Sequence, residues 1–67
     1  MPTSVNRLCR AYVNIVRRMQ HTTDSWELED LEYQRSECHA RLMRALNQIG
    51  MRMGRQDSED FAFEVAG

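Results

Sequence analysis

No apolar stretch in this chain approaches the roughly 20 residues that a bilayer-spanning helix needs, and no signal-peptide core follows Met1. A membrane-spanning helix is therefore excluded, and a cytoplasmic chain without a membrane partner is expected. Covalent and metal staples are equally scarce. Two cysteines, Cys9 and Cys38, make no disulfide framework. Adding His21 and His39 gives no structural metal site, because Cys38 and His39 are neighbours that point about 100° apart on a helix. No cofactor and no metal are expected. Catalytic equipment is missing too: no nucleophile stands at a motif spacing from a base, and nothing supplies an oxyanion donor in a cleft. Lysine is absent altogether, since all nine basic residues are arginine. A coding bias explains that more simply than selection for bidentate recognition.

What is present fits one small domain. Sixty-seven residues lie near the lower limit at which a single core supports folding, so self-association is the natural source of further stability. Hydrophobic content of 42% and charged content of 28% are those of an ordinary globular chain. The net charge of −1 hides a strong segregation. Residues 1–21 carry Arg7, Arg10, Arg17 and Arg18 with no acid, while residues 24–37 carry six acids against Arg35 alone. Residues 41–55 hold only positive charge, and Asp57, Glu59, Asp60 and Glu64 close the chain.

Two amphipathic helices of unequal length follow from the periodicity. Val5, Leu8, Tyr12, Ile15 and Met19 fall at heptad spacing, with Cys9 and Val16 widening the stripe, over about Ser4–His21. Pro2 with Thr3 or Ser4 supplies a start. His21–Asp24 interrupts the pattern, and Asp24 with Glu27 has capping-box spacing for a second helix. That helix runs over about Ser25–Met53 along Leu28, Leu31, Arg35, Cys38, Leu42, Ala45 and Ile49, with Leu46 and Met53 alongside. Gly54 is the expected terminator, with Gly50 weakening the last turns.

The fold class is thus all-α: over residues 1–56, an antiparallel hairpin of a short and a long helix, completed as a homodimeric bundle. Folding about the turn sets Met19 against Leu28, Tyr12 near Arg35 and Cys9 near Cys38, the last two expected as reduced, buried thiols with a disulfide staple as the alternative. It also sets Arg17 and Arg18 beside Glu29 and Asp30, and Arg10 beside Glu37. Residues 57–67 alternate Phe61, Phe63 and Val65 among acids, which reads as an extended or disordered arm.

Such a hairpin leaves the end of the long helix uncovered. The expected function is a non-enzymatic module that binds and masks or modulates a larger protein, of the kind found among small bacterial or phage regulators. Arg44, Leu46, Ile49, Arg52 and Met53, with Phe61 and Phe63 of the arm, are the expected partner contacts. A second heptad stripe of the long helix, Trp26, Tyr33, Ala40, Met43, Asn47 and Gly50, is the expected dimer interface, since Trp and Tyr anchor interfaces and small residues permit close approach. The plainer account has Trp26 and Tyr33 leaning over the turn as part of the hairpin's own core. A nucleic-acid-binding dimer using Arg41, Arg44, Arg52 and Arg55 is the alternative function, and a small dimeric helical enzyme is the third.

Overall fold

The computed structural model describes residues 5–66, so the expected helix start at Pro2–Ser4 lies outside the described residues. Three α-helices follow in chain order: α1 Val5–His21, α2 Ser25–Gln48 and α3 Arg55–Ala66. The fold is all-α, and no described helix is long and apolar enough to cross a membrane. At ~1.5 Å per residue the 24 residues of α2 span about 36 Å, which sets the 38 Å long dimension of the molecule.

Asp24 starts α2 as its side chain suggests. The residue sits in the extended region, its Oδ1 accepts from the Trp26 amide at 2.9 Å, and its carbonyl accepts from the Leu28 amide at 2.9 Å. On the other side of the turn, Thr22 Oγ1 donates to the Arg18 carbonyl at 2.6 Å and so closes the end of α1.

The end of α2 corrects the sequence reading. The helix stops at Gln48 and not near Met53. Gly50 adopts φ +84°, its amide donates to the Asn47 carbonyl at 3.1 Å, and the Met51 amide reaches back to the Leu46 carbonyl at 2.9 Å. These two bonds form a Schellman cap, in which left-handed backbone at the residue after the cap turns the chain out of the helix. Its usual apolar clasp is present, because Met51 packs on the core that contains buried Leu46. Gly54 has the opposite duty: its carbonyl accepts from the Ser58 amide at 3.0 Å, which places it at the start of α3.

The tail is likewise not an extended arm. Residues 55–66 are helical, and a period of 3.6 collects Ser58, Glu59, Ala62, Phe63 and Ala66 on one side. Ser58 and Ala62 are fully buried, being small enough for α3 to approach the rest closely. Alternation of Phe61, Phe63 and Val65 loses to this helical pattern because an isolated strand has nothing to pair with, whereas a helix satisfies its own backbone.

One core results. Cys9, Tyr12 and Val13 of α1, Cys38, Leu42 and Leu46 of α2, and Ala62 of α3 are buried together. Met51, Met53, Phe61 and Phe63 pack around them. Cys38 Sγ donates to the Leu8 carbonyl at 3.7 Å, which fixes where α1 and α2 meet. α3 rests mainly on α1 and only lightly on α2.

Candidate interaction surface

Inside the molecule a polar junction joins all three helices. Tyr12 is completely buried, and its hydroxyl donates to Glu59 Oε2 at 2.8 Å. Burial and the Glu59 carboxylate both push the phenol up from its ordinary value, while Arg35 beside it pulls the other way. Arg35 itself is held more firmly protonated, first by the Tyr12 hydroxyl and then by Glu32 at 3.0 Å. His39 and Ser58, both buried, meet at 2.8 Å. Ser58 Oγ donates to the Arg55 carbonyl at 2.8 Å, so it accepts from His39 Nε2–H, which fixes the imidazole tautomer. The rings of Tyr12 and His39 lie 5.5 Å apart, and Phe63 meets Tyr12 edge-on at 6.5 Å. Every buried side-chain polar atom among the described residues has a partner. Chemically the junction is a lock: its donors and acceptors are matched to one another.

The outside differs. Trp26 is 81% exposed and Tyr33 66% exposed, and both stand on the side of α2 that faces away from the core. Ala40 and Asn47 continue that line at heptad spacing, exposed as well, with Met43 half-buried at its margin. The plainer account of Trp26 and Tyr33, as lids over the hairpin turn, is therefore wrong. Both aromatics lie on the side of α2 opposite buried Leu31, Cys38, Leu42 and Leu46, and the turn itself is closed by Thr22 and Asp24. Flanking the line run acids toward the start of α2 (Glu29, Asp30, Glu37) and arginines toward its end (Arg41, Arg44). Glu37 accepts from Tyr33 OH at 3.2 Å and pairs with Arg41 at 3.6 Å. Beside Tyr33 a hollow of about 260 Å³ opens between α1 and α2, floored by Ala11, Ile15 and Cys38.

The expected partner contacts divide sharply. Leu46 is buried at 1% exposure, and Met53, Phe61 and Phe63 fold back in cis onto the core that contains it. Arg44, Ile49 and Arg52 remain exposed, Ile49 at 60%. All members of the expected dimer stripe except Met43 are exposed.

The expected charge pairing across the hairpin is absent. Among the described residues, Arg10, Arg17 and Arg18 make no ion pair with Glu29, Asp30 or Glu37; the described pairs, Arg35–Glu32 and Arg41–Glu37, are both internal to α2. Helical geometry explains this, since the core-facing side of α1 is opposite the line Arg10, Asn14, Arg17 and His21. Arg17, Arg18 and His21 border an open hollow of about 580 Å³ at the end of α1. The sequence sets these arginines beside acids of α2 and gives no direct sign of the Ser58–His39 and Tyr12–Glu59 bonds. The signal for both was the spacing of Ser58, Ala62 and Ala66, which marks a buried helix face.

Cys9 and Cys38 are free thiols in the core. Burial pushes both thiols up from their ordinary value, with the Cys38 sulfur adding to the effect at Cys9. Among the described residues no three His, Cys, Asp or Glu side chains converge on a point that would hold a metal ion. Comparison with known protein families, with curated proteins and with solved structures gave no match.

Proposed function

We propose that this chain is a non-catalytic, homodimeric interaction module that engages other protein through the outward side and the C-terminal end of α2. The observation that carries the reading is the placement of Trp26 and Tyr33. A chain this short has few large apolar side chains to bury, yet two of them stand in solvent on one helix face. Large aromatics contribute heavily to interface energetics, and grouped exposure marks contact surfaces. Ile49, exposed beside Arg52 just after α2, extends the surface toward a larger partner. The polar junction contributes stability and not chemistry in this reading, because its groups are consumed by one another.

Photo-crosslinking in the native host tests it. A benzophenone side chain at Tyr33 or at Ile49 should give adducts of discrete mass, with a protein heavier than the chain itself captured from position 49. The same group at Gln20, exposed on α1, should give none. Diffuse or absent adducts at both α2 positions would overturn the reading.

A second reading rests on α1. Arg10, Arg17 and Arg18 stand without a carboxylate partner among the described residues, which suits a polyanion such as nucleic acid. That binding should fade steeply between low and moderate salt, whereas contacts through Trp26 and Tyr33 should persist.

A further inference from the structure

The outward side of α2 is complementary to itself when reversed. Its large residues, Trp26 and Tyr33, occupy the N-terminal half, and its small ones, Ala40 and Asn47, the C-terminal half. Its acids lie toward the first end and Arg44 toward the other. From these observations we propose that the face is occupied by the same face of a second copy, antiparallel, with Trp26 opposite Asn47, Tyr33 opposite Ala40, and Asp30 opposite Arg44. This rests on the reading of α2 as an interaction surface and names its first partner.

Geometry favours the antiparallel arrangement over the parallel one. A two-fold axis perpendicular to α2 keeps each flank on its own side, so Asp30 and Arg44, which share a flank, meet across the interface twice. A parallel pair in register would put Asp30 and the partner's Arg44 on opposite sides of the seam, out of reach of one another, and would crowd aromatic against aromatic while leaving a gap at Ala40. In the antiparallel register Glu37 approaches its own copy near the axis. Each Glu37 already has Arg41 of its own helix at 3.6 Å, so the like charges are compensated. Neither Asp30 nor Arg44 is needed for the chain's own core, as both are exposed.

Charge reversal in the full chain tests the register. Sedimentation of the wild type across a wide concentration range should follow a monomer–dimer equilibrium. Asp30→Arg and Arg44→Glu should each raise the dissociation constant roughly tenfold, since each turns two attractive pairs into two repulsive ones. The double variant D30R/R44E should restore it to within about threefold, with circular dichroism unchanged throughout. Acrylamide quenching of Trp26, the sole tryptophan, should fall as the dimer forms. A wild type that stays monomeric at every concentration would overturn self-pairing, while discrete larger adducts at positions 33 and 49 would keep the interaction reading alive. A dimer unmoved by both single reversals would overturn this register, as would a double variant as weak as the singles.

Discussion

At the scale of single residues, the interior polar atoms carry the sharpest consequences. Ser58 satisfies two groups at once, the Arg55 carbonyl and His39 Nε2–H. Ser58→Ala should strand a buried imidazole N–H and cost about 1–3 kcal/mol in urea unfolding. His39→Leu combined with Ser58→Ala should recover much of that loss, because an apolar pair leaves nothing unsatisfied. A double-mutant cycle checks this, and strictly additive losses would contradict it. Alkaline pH should act on the same interior. Tyr12, Cys9 and Cys38 all have folded-state values raised, chiefly by burial, so the folded chain holds those protons longer than the unfolded one. Their contribution is complete below the ordinary thiol range of about 8.5 and declines as pH rises through it and then through the phenol range near 10. Unfolding midpoints between pH 7 and 11 should therefore fall in that direction, and a flat profile would refute it.

At the scale of elements, the two glycines of the α2–α3 connection separate by function. Gly50 is at φ +84° with open space around its would-be Cβ, so Gly50→Ala should cost about 1–2 kcal/mol through backbone strain alone. Gly54 also faces open space, but as the N-terminal cap of α3 it needs no left-handed backbone. Gly54→Ala should change stability by no more than a few tenths of a kcal/mol, a lost cap preference being offset by a stiffer unfolded chain. Thermal melts of the two variants check the contrast, and equal losses would contradict the assignment of the Schellman cap. The same elements show what the sequence made legible. α1 and the start of α2 were readable because heptad spacing and Asp24 agree. The end of α2 was not, since Ile49 and Met53 prolong the apolar period past the cap, and only Leu46 with Met51 around Gly50 betrays the clasp. α3 was hidden because its buried side is built from Ser58 and Ala62, which carry little hydrophobic signal, while its phenylalanines fall at alternate positions. For the candidate surface, the Trp26–Tyr33 line was readable from spacing. Its exposure was not, because periodicity alone does not say which of two apolar sides of α2 the core takes.

At the scale of the whole molecule, α3 decides whether the core closes. It contributes the fully buried Ser58 and Ala62, the Glu59 carboxylate on Tyr12 and the Phe63 edge against the same ring. Without it, α1 and α2 would expose Leu46, Cys9 and the Tyr12 hydroxyl, and a pair of helices buries too little to offset its conformational entropy. A chain shortened to end at Met53 should therefore lose its cooperative urea transition, bind a hydrophobic dye, and react at Cys9 and Cys38 with a thiol reagent that the full chain resists. Trp26 is a poor reporter of this change, since it stands outside the core that α3 closes and answers to self-association instead. Near-ultraviolet signal from Tyr12 and the rate of thiol modification are the proper readouts. If the shortened chain kept a cooperative transition with an undiminished denaturant slope and protected thiols, α1 and α2 would form a self-sufficient unit, and the burial attributed to α3 would be an accessory to it.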